Sequence, residues 1–315
     1  MIQGRAPMIE LRRLHRYFGD TKAVQDMSFE VYSGEVLGYI GPNGAGKTTS
    51  MRILATLDEP THGEAFVDGF SVIDDPDRVR RRLGFMPDYF GTYENVSVRE
   101  YLDFFGRAYG LRGTERLSAI DRVMEFTLLD RIQDKPTSGL SKGMKQRLCL
   151  GRTIIHDPGV LILDEPAAGL DPRARIELRE MISRLAHAGK AVLISSHILT
   201  ELAEICDRVA IIEQGKLIAA GSVDEISEAA NPTSLIRLRV LDDAGPITRW
   251  LEERADIDNL VADADLLTFN HDGGPNDQAE LLRQIVGEGF QLVEFASKTK
   301  SLEDVFLHVT EGRVQ

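Results

Sequence analysis

Residues 41–48 read GPNGAGKT, an unbroken G-x-x-x-x-G-K-[ST]. Glycines at 41, 44 and 46 let the backbone curl until several N–H groups point inward at phosphate oxygens. Lys47 places an ammonium against the β- and γ-phosphates of a nucleotide, and Thr48 offers a hydroxyl to Mg²⁺. The predicted cradle is Gly41, Pro42, Asn43, Gly44, Ala45, Gly46, Lys47, Thr48 and Thr49. A second cluster lies at residues 160–166, VLILDEP. Asp164 can hold the Mg²⁺ that bridges the phosphates. Glu165, one residue on, projects to the other side and can polarise an attacking water. Together these residues describe a nucleotide site, and the pair of motifs fits GTPases, helicases and kinases alike.

Such a loop works only between a strand and a helix. The required strand is VLGYI at 36–40, and the helix is the stretch TTSMRILATL, whose positive end faces the loop. Residues 160–163 form a second buried strand that ends at the two acids. Further strand candidates are 9–11, 27–31, 191–195 and 209–212, and GFMP closes another. Residues from about 98 to 155 carry almost no strand signal and read as mostly helical. Tyr101, Phe104, Phe105 and Tyr109 recur on one helix face, as subdomain core or as a groove wall for a partner helix. The run RVRRR at 78–82 reads as a solvated helix face.

The chain has 315 residues, 43% hydrophobic and 28% charged, which fits two globular domains. No apolar run approaches the ~20 residues of a spanning helix. The N-terminus MIQGRAPMIELRRLH lacks the apolar core of a signal peptide. Cys149 and Cys206 do not make a disulfide framework, fit a reducing cytoplasm and read as buried small hydrophobes. The net charge is −13, which argues against a nucleic-acid partner. From Pro232 onward there are 16 acidic and 8 basic residues, a net −8, which leaves −5 for the first 231. That asymmetry points to a second module, joined through the polar stretch SEAANPTS at 227–234. Its predicted order is strand 235–240, helix 247–254, strands 260–264 and 266–269, helix 278–286 and strand 291–295, the ferredoxin-like β-α-β-β-α-β pattern. A last helix is expected at 302–309.

Residues 140–147, LSKGMKQR, precede a helical stretch. They resemble the signature motif of ATP-binding cassette (ABC) ATPases, with Lys142 and Met144 where the commonest form has Gly and Gln. A serine hydroxyl and a glycine backbone at a helix N-terminus suit an anion, and Ser141 and Gly143 hold those positions. The rest of the set follows in the family's order. Asp171 lies in a GLDP that resembles the D-loop. His197, in SSHIL, resembles the switch histidine that contacts the γ-phosphate. Phe18, in RYFGD, resembles the aromatic that stacks on adenine, with Tyr17 as its rival. Asp88 departs from the pattern: the family usually has Gln there, binding Mg²⁺ or water and reporting nucleotide state. An aspartate can also ligate through oxygen, or it can cap a helix.

The resemblance covers residues from about 8 to 227. It implies an α/β fold, a phosphate-loop core (1–227) with a helical subdomain at about 88–155, and the element order after the linker adds a small α+β domain (228–315). It implies an ATPase whose cofactors are ATP and Mg²⁺, with Lys47, Glu165 and His197 as catalytic residues and Thr48, Asp164 and Asp88 at the metal. The wording from 86 to 111 and the closing phrase SLEDVFLHVT at 301–310 look most like the ATP-binding subunits of bacterial ABC-2-type exporters. The implied partners are an integral membrane permease and a second ATP-binding subunit, a copy or a close homologue. The implied place is the cytoplasmic face of the cell membrane. The competing readings are a soluble ABC ATPase acting on ribosomes or DNA, which usually carries two cassettes, a coiled coil or zinc-binding cysteines, and a small-molecule kinase. The kinase reading leaves LSKGMKQR and His197 unexplained.

Overall fold

In a computed structural model the described residues are 6–89, 91, 95–196, 202, 204–222, 225–226 and 233–298. His197, linker residues 227–232, the helix expected at 302–309 and the phrase at 301–310 lie outside them. The chain divides after Ser222 into two compact units.

The strands of the first unit are β1 (Ile9–Phe18), β2 (Thr21–Val31), β3 (Val36–Ile40), β4 (His62–Val67), β5 (Phe70–Ser71), β6 (Leu83–Met86), β7 (Val160–Leu163), β8 (Ala191–Ser196), β9 (Arg208–Glu213) and β10 (Lys216–Ser222). Its helices are α1 (Lys47–Leu54), α2 (Pro76–Arg82), α3 (Val98–Ala108), α4 (Gly113–Phe126), α5 (Lys142–Ile154) and α6 (Pro172–His187). One six-stranded sheet has the order β10-β9-β3-β8-β7-β6. Strands β9, β3, β8, β7 and β6 pair in parallel, and β10 closes the edge antiparallel. Every residue of β3, β7 and β8 is buried. This is why these strands read as unbroken apolar runs: both faces of a parallel sheet are covered. The second sheet, β2-β1-β4-β5, is antiparallel. Ile9, Leu11, Met27 and Val67 from it, Leu37 and Leu193 from the first sheet, and Met51 and Leu54 from α1 share one core.

The order of the first sheet builds the site. β8 lies between the strand that launches the phosphate loop and the strand that ends in the two acids. Leu163 is in register with Ile194, so Asp164 follows at the level of Ser195. The sequence reading did not find β4 or β10. The first half of β4, His62-Gly63-Glu64, is exposed, and an exposed half-strand carries no apolar alternation.

Residues 98–155 are mostly helical, as expected, and α3, α4 and α5 have their own core around Tyr101, Leu102, Ile120, Val123 and Leu148. Ser97 starts α3 with a reciprocal capping box to Glu100. The aromatic stripe divides. Tyr101 is fully buried and Phe105 packs against the same core, whereas Phe104 and Tyr109 are exposed. The basic run forms most of α2 and is balanced by acids: Arg78 with Asp75, Arg80 with Asp77 and Arg82 with Asp68. That is the solvated face the run predicted. Cys149 is buried and Cys206 partly buried, both as free thiols. Burial pushes Cys149 up to about 12, which keeps it protonated and inert.

The second unit contains β11 (Thr233–Val240), α7 (Gly245–Glu252), β12 (Ile257–Asp263), β13 (Leu266–Asp272), α8 (Pro275–Gly287) and β14 (Leu292–Lys298). Its sheet order is β12-β13-β11-β14, and every pairing is antiparallel. Ile236, Leu238, Leu267 and Phe269 of the sheet meet Ile247, Leu251, Leu281 and Ile285 of the helices.

His156, just after α5, ties the helical subdomain to the sheet of the first unit. Its ring stacks on Tyr109 with centroids 3.6 Å apart, and its Nε2 donates to the Leu83 carbonyl at 3.1 Å. Burial lowers its pKa from 6.5 to about 4. Between those values the unfolded chain binds a proton that the folded chain refuses. The contribution is therefore intact above pH 6.5 and is lost as pH falls toward 4. We expect urea unfolding of the wild type to lose about 2 kcal/mol between pH 7 and pH 5 from this group. In His156→Phe, which keeps the stack, that part of the pH slope should be absent.

Candidate functional site

The phosphate loop leaves the end of β3 and enters α1. A Cβ on Gly41 would lie 2.4 Å from the Ile212 carbonyl oxygen, so only glycine fits that close approach to β9. Gly46 has φ 101° and caps α1, and a Cβ there would lie 2.3 Å from the carbonyl oxygen of Ala23. The hairpin of β1 and β2 thus presses on the loop and fixes its curl.

Lys47 is buried, and its Nζ donates to the carbonyls of Gly41 at 2.6 Å and Pro42 at 3.2 Å. Burial lowers the ammonium's pKa, while the charges of Glu165 and then Asp164 oppose the shift. Thr48 Oγ1 donates to Asp164 Oδ2 at 2.9 Å. Asp164 is only 2% exposed, and a buried carboxylate needs donors. Ser195 supplies the other one, donating from Oγ to Asp164 Oδ1 at 2.6 Å. The same Ser195 oxygen accepts from the Glu165 backbone N–H at 2.9 Å. Glu165 has φ 49°, in the left-handed region, so the chain turns sharply as it leaves β7.

Residues 42–49, Ala23, Asp88 and Glu165 line one pocket. The structure therefore brings Lys47, Thr48, Thr49, Asp88 and Glu165 together, with Asp164 behind Thr48. Asp88 is exposed, and the next helix, α3, takes its cap from Ser97. The helix-cap alternative for Asp88 thereby falls away. Among the described residues no three His, Cys, Asp or Glu side chains form a metal cluster. A hydroxyl and one carboxylate, both hard oxygen donors, fit a cation whose other ligands are phosphates and water.

Ser141 caps α5, accepting from the Met144 N–H at 3.4 Å. Asp171 caps α6, accepting from the Ala174 N–H at 3.0 Å. Ser141, Gly143 and Asp171 line a second pocket, which Lys47 does not line. Gln146, buried on α5, donates to the Pro166 carbonyl at 2.9 Å, linking the signature helix to the acidic strand end. Phe18 is 49% exposed and has the Arg16 guanidinium 4.3 Å from its ring centroid. Tyr17 instead shares a hydrogen bond with His15 Nδ1 at 2.9 Å, and its ring packs edge-on against His15 and His62. Of the two rivals, Phe18 is the ring left open to a ligand. Sequence reasoning missed Ser195 and Gln146. The available signal for Ser195 was a pair of hydroxyls closing an otherwise apolar strand.

A family model described as ABC transporter matches residues 24–168. The ABC transporter ATP-binding protein YxlF of Bacillus subtilis (strain 168) is 33% identical over 305 residues, spanning 97% of this chain and 100% of that protein. The chain belongs to the ABC transporter ATP-binding proteins. Another relative, the ABC transporter ATP-binding protein NatA of Bacillus subtilis (strain 168), is 38% identical over 200 residues, 62% of this chain and 81% of its own length. The Nod factor export ATP-binding protein I of Burkholderia lata is 38% identical, and the match covers 61% of this chain and 64% of that protein. A solved structure of the ATP-binding subunit of an ABC transporter superimposes with a TM-score of 0.65 at 31% identity, covering 70% of this chain and 92% of its own. Like other ABC ATP-binding subunits, this one has a nucleotide-binding α/β cassette. Among its described residues no helix is long and apolar enough to cross a membrane.

Two substitutions test the pocket. Lys47→Ala removes a buried ammonium whose partners are two carbonyls of its own loop. We expect a folded protein by circular dichroism, with ATP affinity reduced about 10- to 100-fold, the worth of one or two charged hydrogen bonds. For Asp88, the oxygen-bearing Asp88→Gln should stay within about threefold of wild-type ATPase activity, and Asp88→Ala should fall about tenfold. Equal, near-wild-type rates for both would remove Asp88 from the site.

Proposed function

We propose that this subunit hydrolyses ATP to ADP and phosphate and so powers export through a separate integral membrane permease, at the cytoplasmic face of the membrane. The observation that carries the reading is the convergence of Lys47, Thr48 and Glu165 on one pocket, with Asp164 hydrogen-bonded to Thr48. Backbone N–H groups of the loop cradle the phosphates. The Lys47 ammonium exchanges its two carbonyl partners for β- and γ-phosphate oxygens. Thr48 and Asp164, with Asp88 nearby, are the residues that would hold Mg²⁺. When bound, that cation neutralises charge on the phosphates. Glu165, facing the same pocket, orients and polarises the attacking water. Phe18 offers its open face to adenine. His197 contacts the γ-phosphate by family resemblance.

Ser141 and Lys47 line different pockets of one chain. This supports a site completed by a second ATP-binding subunit, a copy or close homologue, with each ATP held between Lys47 of one and Ser141 of the other. ATP binding closes the pair and hydrolysis reopens it. The Nod factor export relative and a probable multidrug ABC transporter ATP-binding protein of Escherichia coli (strain K12), 39% identical over 194 residues that make up 34% of that protein, support an exporter. The unit after Ser222 contains residues 228–315, which we read as a ferredoxin-like module and whose sequence carries no phosphate loop. Its role is to set how two cassettes pair or dock on the permease.

Glu165→Gln keeps size and hydrogen bonding but removes the base. We expect ATPase activity to fall at least about 100-fold and size-exclusion chromatography with Mg²⁺ and ATP to show a dimer that the wild type does not retain. A mutant that hydrolyses like the wild type would remove Glu165 from the reaction. Truncation after residue 227 should leave ATP affinity within about twofold and weaken co-purification with the permease. Loss of nucleotide binding would place the domain boundary elsewhere.

A further inference from the structure

A buried hydroxyl joins the two acids at the end of β7, and it belongs to a residue to which the sequence pattern assigns no role. Ser195 is 0% exposed. Its Oγ donates to Asp164 Oδ1 at 2.6 Å and accepts from the Glu165 N–H at 2.9 Å. One oxygen atom therefore ties the carboxylate meant for the cation to the backbone of the carboxylate meant for the water. It sits on β8, between the strand of the phosphate loop and the strand of the acids.

We propose that Ser195 is a positioning residue that presents Asp164 to the divalent cation through a single oxygen and fixes the turn that aims Glu165. The inference rests on the reading of the pocket as an ATP and Mg²⁺ site. The two oxygens of Asp164 have different neighbours. Oδ2 faces Thr48 at 2.9 Å, on the pocket side, where the hydroxyl and the carboxylate can both turn to a cation. Oδ1 faces the sheet and is held by Ser195. With Oδ1 engaged, Asp164 offers one oxygen and not two. Mg²⁺ demands near-octahedral geometry and suits such single-oxygen ligation, whereas Ca²⁺ accepts two oxygens from one carboxylate. The hydroxyl thus favours Mg²⁺ over Ca²⁺. Its second bond acts on Glu165. The residue has φ 49°, a conformation that a non-glycine residue holds only when its surroundings enforce it. The bond from its N–H to Ser195 is such an enforcement.

The test uses the full chain with Ser195→Ala, which removes the hydroxyl, and Ser195→Thr, which keeps it. A fluorescent ATP analogue reports binding, first in EDTA and then in titrations with Mg²⁺ and Ca²⁺, and steady-state kinetics separate kcat from KM. For Ser195→Ala we expect unchanged binding in EDTA. The half-saturating Mg²⁺ should rise about tenfold, kcat should fall about tenfold or more, and the preference for Mg²⁺ over Ca²⁺ should narrow. Ser195→Thr should stay within about threefold of the wild type in each. A wild-type Mg²⁺ titration and kcat in Ser195→Ala would overturn the proposal. So would equal weakening of binding in EDTA, which is what a merely structural residue would show. Failure of the wild type itself to bind or hydrolyse Mg-ATP would instead overturn the functional reading beneath it.

Discussion

A buried carboxylate at the end of a parallel strand is the constraint around which the first unit is organised. Asp164 is almost wholly removed from water, and an ion in that position must be surrounded by donors. Two hydroxyls supply them, Thr48 from the helix after the phosphate loop and Ser195 from the intervening strand. Three segments far apart in sequence are thereby brought to one point. The strand order β3-β8-β7 is what makes this possible. Were β3 and β7 neighbours, the loop and the acids would meet with no third element to satisfy the inner oxygen.

Electrostatics follow from that arrangement. Among the described residues lining the loop's pocket, Lys47 is a cation facing two acids, Asp88 and Glu165, with Asp164 directly behind Thr48. The pocket by itself is no simple anion trap. Phosphates enter against three carboxylates, and backbone N–H groups and one ammonium oppose that repulsion. The acid-rich surroundings and the oxygen-only donor pair of Thr48 and Asp164 suit a phosphate ligand that would bring a hard cation with it.

The sequence was most legible where burial is continuous. β3 and β7 were found to the residue, since strands covered on both faces read as unbroken apolar runs. The phosphate loop was legible because its glycines answer to a positive φ at Gly46 and to a carbonyl against Gly41. β4 was not, because half of it faces solvent. Ser195 was visible as a residue but not as a function, since its role depends on which strand lies beside β7, and strand order is not local information. The aromatic stripe shows the same limit. Helical spacing placed Tyr101 and Tyr109 on one face, yet tertiary packing buries the first and leaves the second exposed against His156. His197 and the closing phrase at 301–310 rest on resemblance alone.

The Lys47 ammonium rests on two carbonyl oxygens of its own loop. An internal ligand of this kind makes nucleotide entry a substitution reaction. A small lone anion, such as sulfate or inorganic phosphate, must displace both carbonyls and yet cannot span the loop from end to end. A chain of phosphates replaces the same two bonds while also reaching the helix terminus and the hydroxyl of Thr48. The loop is thus matched in length to a chain of phosphates rather than to a single small anion.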